Sequence, residues 1–303
     1  MIIEELIIEN KGQFIDKDTF FFDIETLGLN RSINEIVLIC IGVLCEENKV
    51  KIKQYFAESP KEEKDILKSF VKDVCKKKKI KSYNGDNFDI PFINYRLSLH
   101  EIDFEINKDI SYDMLKFLKP LKIIWELENL KLKTIERFFG LYREDLITGK
   151  ESIELYNNYQ KNKEEAILRK ILLHNFEDVK YMIVLEELIH EKLQNDSFVI
   201  NHKDDFLSVY MYEVKKLKQQ LKVIYKINNT KHSKYKYYDD FGNSIEIYEH
   251  KLEFKLFFKE GILPDGKNIS YIYYNQRTIP IEINKKIIFE NLNFLLKIMI
   301  NNE

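Results

Sequence analysis

Hydrophobic and polar positions along the chain fall into stretches of different period, and each period predicts an element. Residues 19–25, "TFFFDIE", form an apolar, β-prone run that Gly28 ends. "NEIVLICIGVLCEENKVKIKQYFAE" reads as a hairpin, two β-rich runs around the polar turn Glu46-Glu47-Asn48. "SPKEEKDILKSFVKDVCKKKK" has an amphipathic helical spacing, with a Ser59-Pro60 start, acids in its first half and lysines in its last turn. "IKSY" predicts a short strand, broken by Asn84-Gly85, and a helix opens around Pro91. After Asp113 the pattern is helical to about Leu193, with the longest helix starting near Lys163. From about Asn195 the texture changes. "DDFLSVYMYEVKKLKQQL" predicts one more helix, strand-like runs rich in Tyr, Ile and Phe follow, and "KKIIFENLNFLLKIMI" closes as a helix.

Strand, hairpin, helix, strand and then helices describe an α/β sandwich rather than a bundle or barrel. The change of texture divides the chain into residues 1–195 and a smaller α+β region, 196–303. Composition adds limits to this picture. With 45% hydrophobic and 32% charged residues the chain has the balance of a soluble protein, and 9 Gly and 5 Pro argue against disorder. A formal net charge of −2 provides no global attraction to nucleic acid, so any such attraction is local. Cys40, Cys45 and Cys75 lack metal-site spacing; Cys40 and Cys45 lie in an apolar run and are expected as core thiols in a reducing compartment. No segment reaches the roughly 18 apolar residues of a membrane span. "MIIEELIIENK" has acids where a signal peptide needs lysines, so a cytoplasmic location is expected.

Three stretches carry candidate chemistry. In a strand Asp23 and Glu25 face the same side, roughly 6–7 Å apart at Cα. Their neighbours Phe20, Phe21, Phe22 and Ile24 imply burial on both faces. Two carboxylates there repel and are costly to desolvate unless a cation lies between them; a strand whose acidic end surfaces into solvent is the plainer alternative. In "KSYNGDNFDIPFINYRL", Asn84-Gly85 permits a sharp turn, and Asn87 and Asp89 both suit a helix N-cap. Asp89 is thus open to two readings, cap or metal ligand. In "LRKILLHNFEDVKYMIVLEEL", His174 and Asp178 are four apart on one helix face that continues through Ile171, Met182 and Leu185. A histidine and an acid in an apolar stripe need a partner, structural or functional.

In this order, "FDIET", "YNGDNFDIPF" and "HNFED" resemble the three motifs of the DEDD 3′-5′ exonucleases on the ribonuclease H-like fold, and within that superfamily most closely the YprB-type ribonuclease H-like domain. The connecting "SYDMLKFLKP" and "LKTIERFFGLYRED", then Gly149 and Tyr156, fit the same branch over about residues 17–190. The resemblance implies a mixed β-sheet flanked by helices and two-metal hydrolysis of phosphodiester bonds in DNA or RNA, with Mg²⁺ or Mn²⁺ held by Asp23, Glu25, Asp89 and Asp178. It implies that His174, neutral beside two dications, accepts a proton from or orients the attacking water. It further implies that Thr26 and Leu27 present backbone and an apolar edge to a terminal nucleotide, and that Asn84 and Asn87 bond the backbone of a single-stranded 3′ end. The third motif departs from the pattern: His174 has the three-residue interval of the tyrosine branch with a histidine in that seat. A retired nuclease that binds without cutting is the alternative, although no carboxylate is missing.

Asp113 fits either a supporting acid or the N-cap of "SYDML", and Lys131 and Lys133 either phosphate contacts or a solvated helix start. Between Val214 and Tyr238 there is no acid, while eight lysines (215, 216, 218, 222, 226, 231, 234 and 236) alternate with Tyr225, Tyr235, Tyr237 and Tyr238. Lysines for phosphates and rings for bases are the parts of a single-strand track; a basic face followed by a tyrosine-rich strand has the same composition.

Overall fold

The computed structural model describes residues 1–9, 15–202, 205–228 and 234–300. They divide into two compact units, Met1–Lys119 with Glu128–His190, and Pro120–Leu127 with Glu191–Glu303.

In the first unit the chain runs through strands β1 (Ile2–Glu9), β2 (Thr19–Thr26), β3 (Ile36–Glu46) and β4 (Lys49–Phe56) to helix α1 (Glu63–Val74). It continues through β5 (Lys79–Ser82), α2 (Asp89–Leu99), β6 (Ser111–Asp113) and α3 (Met114–Leu118). After α4 (Leu121–Ile124), which belongs to the second unit, come α5 (Leu132–Phe138), α6 (Gly149–Asn162) and α7 (Glu165–Asn195). The strands form one mixed sheet in the order β1-β4-β3-β2-β5-β6. Its β1, β4, β3 and β2 neighbours are antiparallel, and β5 and β6 add in parallel beside β2. Alternation sorts β2 onto two faces. Phe20, Phe22 and Ile24 join a core with Ile66 and Phe70 of α1 and Ile90 and Ile93 of α2. Phe21, Asp23 and Glu25 face the other way, where Asn175 and His174 of α7 meet the two acids.

Local chemistry explains the boundaries. Asn48 takes a left-handed φ of 59° in the β3–β4 turn, a conformation asparagine tolerates. Ser59 caps a 3-10 turn that Pro60 opens, ahead of α1. Thr148 and Glu151 form a capping box at α6. One expectation for the α2 entry is corrected. Neither Asn87 nor Asp89 caps the helix: Phe88 holds the cap position with no side-chain bond, and Asp89 is the first helical residue. Asn84-Gly85 does make the sharp turn ahead of it, with Asn84 left-handed at φ 65°. Gly85 is needed for a different reason, since a Cβ there would lie 2.2 Å from the Ser82 hydroxyl. Asp113 caps α3 and also accepts the Asn84 amide at 2.9 Å, so it serves as helix cap and turn support together. β1, which the hydrophobic pattern did not single out, is an edge strand with Leu6 and Ile7 more than half exposed. Cys40 is buried as expected, whereas Cys45 is exposed near the hairpin tip, where β3 projects beyond the core.

In the second unit β7 (Phe198–His202), β8 (Asp205–Leu217), β9 (Gln220–Ile227), β10 (Tyr235–Tyr238), β11 (Ser244–Tyr248) and β12 (Lys251–Phe257) form an antiparallel sheet ordered β10-β11-β12-β9-β8-β7. A smaller sheet holds β13 (Lys259–Ile262), β14 (Asn268–Tyr274), β15 (Arg277–Ile283) and β16 (Lys286–Ile287), and α8 (Phe289–Ile300) packs Leu292, Leu295 and Leu296 into the core with Val223, Tyr225 and Phe254. The helix expected over "DDFLSVYMYEVKKLKQQL" is therefore corrected to the hairpin β8–β9. Leu207, Val209 and Met211 are buried in alternation with Ser208, Tyr210 and Tyr212, a two-residue period that the lysine-rich end obscures. Lys218, at φ 45°, reverses the chain.

Candidate active site

β2 is buried along both faces, and Asp23 and Glu25 stand at its end. Asp23 accepts a hydrogen bond from Asn175 Nδ2 at 2.8 Å. Glu25 Oε1 lies 3.5 Å from His174 Nε2, and Asp178 Oδ2 lies 4.0 Å from the same nitrogen. Asp89, at the start of α2, accepts the Ile24 amide at 3.3 Å, which fixes that carboxylate to the β2 backbone. Asp23, Glu25, Asp89, His174 and Asp178 line one cavity of about 700 Å³. The stripe continuing from His174 is buried as the helical spacing predicts, with Ile171, Met182 and Leu185 inaccessible to solvent.

Two residues that the sequence reading missed organise this cluster. Asp145, buried, accepts His174 Nδ1 at 2.7 Å and Lys133 Nζ at 3.0 Å. Arg143 grips both oxygens of Glu136 and reaches Asp178 Oδ1 at 2.5 Å. Both lie in "LYRED", where an Arg and two acids in a loop carry no periodic signal; only the fold shows which charge meets which.

The electrostatics are those of acids crowded without enough counter-charge. Asp23 opens partly to the cavity, yet the protein packed around it removes most of its hydration. Burial, reinforced by Asp178, Asp89 and Glu25, pushes its carboxyl well above the usual range. Burial raises Glu25 to about 7 against the pull of His174. It raises Asp89 to about 7 against the backbone amides of Asp89 and Ile24. Asp145 behaves in the opposite way: burial pushes it up, but bonds from His174, the Ile147 amide and Lys133 hold it below the ordinary carboxylate range. Oxygen donors that are desolvated and mutually repelling suit a divalent cation, which removes the repulsion that protons otherwise relieve. Glu25, His174 and Asp178 each offer an atom within 4.8 Å of the others, a spacing that can hold a metal ion.

The predicted substrate residues separate. Thr26 and Asn84 line the cavity. Leu27 instead packs against the cluster of Val37, Leu38 and Tyr156, and Leu29, 86% exposed, stands at the cavity in its place. Asn87 donates to Asn84 Oδ1 at 2.9 Å and borders a neighbouring cavity with Leu29 and Arg31. Lys133 is committed to Asp145 and the Ile147 carbonyl. Lys131 and Lys150 line the cavity and, among the described residues, form no ion pair.

Four of the lysines on β8, β9 and β10 meet acids, whereas Lys226 of β9 lies over the Tyr212 ring, 5.0 Å from its centre. Lys215 pairs with Glu213, Lys216 with Glu282, Lys222 with Glu253 and Lys236 with Glu246. Tyr225 and Tyr235 are buried and Tyr237 packs against the same core, leaving Tyr238 exposed. These four pairs belong to a paired sheet face; Lys231 lies outside the described residues.

No helix among the described residues is long and apolar enough to cross a membrane. The chain is 27% identical over 181 residues to the uncharacterized protein YprB of Bacillus subtilis (strain 168), a match covering 59% of this chain and 43% of that protein. It is 28% identical over 124 residues to a DNA polymerase of Methanocaldococcus jannaschii, covering 41% of this chain and 6% of the polymerase. This chain therefore spans less than half the length of either curated relative. A solved family B DNA polymerase from the hyperthermophilic archaeon Pyrobaculum calidifontis superposes with a TM-score of 0.46 at 16% identity, covering 56% of this chain and 24% of that one. The family model of the RNase_H superfamily matches residues 20–190, more than half of the sequence and the whole span that carries the carboxylates, and the chain belongs to that superfamily.

Proposed function

We propose that this protein is a metal-dependent 3′-5′ exonuclease that hydrolyses phosphodiester bonds of DNA or RNA. The observation that carries the reading is the convergence of Asp23, Glu25, Asp89 and Asp178, drawn from three elements, on one cavity with too little counter-charge. Membership of the RNase_H superfamily and the match to a DNA polymerase support it. These four acids would hold Mg²⁺ or Mn²⁺. When bound, such ions lower the pKa of a water and stabilise charge on the leaving 3′-oxygen.

The remaining work falls to the chain. Asn175 fixes the rotamer of Asp23, and Arg143 occupies one oxygen of Asp178 so that the other faces the cluster. Asp145 sets the His174 ring with Nε2 toward Glu25 and Asp178. Lys131 and Lys150 at the cavity give the phosphates of a single-stranded 3′ end an attractive entrance, and Leu29, Phe88 and Ile153 provide apolar surface for its terminal bases. Residues 1–195 form the exonuclease domain in this reading, and 196–303 a separate domain.

The test uses 5′-labelled single-stranded DNA and RNA with Mg²⁺ or Mn²⁺, comparing the wild type with Asp23→Ala. Stepwise shortening from the 3′ end, abolished by the substitution, is the expected result. Binding without cleavage under both metals would show instead a nucleic-acid-binding protein on a nuclease fold.

A further inference from the structure

We infer that His174 is itself a metal ligand, giving one cation position of the proposed nuclease site a nitrogen donor and with it a preference for Mn²⁺ over Mg²⁺. The inference rests on the nuclease reading for the presence of a metal, but its geometry is independent of the reaction. It replaces the sequence-based expectation that His174 takes a proton from water.

One donor atom each of His174, Glu25 and Asp178 lie within 4.8 Å of one another, and Nε2 is 3.5 Å from Glu25 Oε1 and 4.0 Å from Asp178 Oδ2. Three atoms so spaced share a point roughly 2.0–2.5 Å from each, the span of metal–nitrogen and metal–oxygen bonds. The same separations are too long for hydrogen bonds. A protonated Nε2 facing two carboxylates would close to about 2.7–2.9 Å on one of them. The ring is not positioned by chance. Its Nδ1 is held at 2.7 Å by Asp145, which also accepts the Ile147 amide at 2.9 Å and Lys133 at 3.0 Å. A carboxylate already engaged by other donors accepts from Nδ1–H, which leaves the lone pair on Nε2. A carboxylate on the far nitrogen is the usual support of a metal-bound imidazole.

Arg143 completes the arrangement by taking Oδ1 of Asp178 and leaving Oδ2 toward His174. The ring is 95% buried, its exposure being 5%, and Nε2 faces the two acids. Imidazole suits transition ions, whereas Mg²⁺ takes oxygen ligands, and that sets the preference.

The probe is Mn²⁺ alone. Pulsed EPR of Mn²⁺ bound to the wild-type chain should show coupling to a directly bound ¹⁴N, and His174→Gln should abolish it. Titration followed by the free Mn²⁺ signal should show affinity falling about 10–100-fold in His174→Gln and roughly 10-fold in Asp145→Asn. The loss for Mg²⁺, measured by competition, should be smaller. The wild-type spectrum alone tests the assignment should a variant fail to fold. A wild-type spectrum without nitrogen coupling, or Mn²⁺ affinity unchanged in a folded His174→Gln, overturns it. Nitrogen coupling in a protein that leaves labelled oligonucleotides intact sustains the ligand assignment while the nuclease reading fails.

Discussion

β2 of the first unit and the β8–β9 hairpin of the second both carry charges inside β-prone runs, and they treat those charges in opposite ways. Asp23 and Glu25 are surrounded by further acids, with Asn175, His174 and Ser152 among their polar contacts. Lys216 and Lys222 each end 2.7 Å or less from a glutamate on a strand distant in sequence. Paired charges on a sheet face are a structural solution to solubility and contribute little individually. Buried like charges left together are costly, and a fold that keeps them does so for a ligand of opposite sign.

The largest effect should come from breaking the unpaired side of this contrast. Under the proposed nuclease reading, Asp23→Asn should keep the fold and lower turnover on the order of 10³-fold or more, because several kcal/mol of charge stabilisation would depend on the ions it would hold. Single-turnover degradation of a labelled oligonucleotide measures this. If turnover persists at wild-type level, the acids of β2 are no more functional than the lysines of β8.

Next in size is Arg143→Met. It leaves Glu136 buried and Asp178 without their shared cation, and should cost about 3–5 kcal/mol in chemical denaturation.

The third prediction concerns pH without metal. Glu25 and Asp89 titrate near 7 in the folded protein, above their unfolded values of about 4. Groups raised in this way bind protons more tightly when folded. Their stabilisation is full below about pH 4 and is lost as pH rises through 7. Thermal or urea unfolding in chelator should therefore show stability falling by about 5 kcal/mol between pH 5 and 8, roughly 2.5 from each group. Adding Mn²⁺ at pH 8 should restore about 2.7 kcal/mol at a hundredfold excess over Kd. A flat profile would mean that the cluster is better hydrated than its packing indicates.

The smallest effect belongs to the paired side. Lys222→Ala removes an ion pair with Glu253 and should cost less than about 1 kcal/mol. The salt dependence of oligonucleotide binding should also stay unchanged. A reduced slope of log K against log salt would support the single-strand track that the lysine spacing suggested.

Much of the first unit was legible from local pattern, because strand alternation, helix stripes and turn residues act within a few positions. The β3–β4 hairpin, α1, α2, the long α7 and the shared face of Asp23 and Glu25 all follow from that. The β8–β9 error has the same root: aromatic and aliphatic alternation over Leu207–Met211 competed with a lysine-rich end of helical propensity, and burial against α8 and β12 decided for strand. The β1 edge depended on a partner strand forty or more residues away.

Residue types and their spacing were sufficient to single out four acids that line one cavity, since each motif is a local arrangement of strand end, turn or helix face. What the sequence could not contain was the set of contacts between segments: Asp145 behind His174, Arg143 on Asp178, and glutamates opposite the lysines of the second unit. Electrostatic energy depends on distance through space and on the water left between charges, and both are fixed only when the chain has folded.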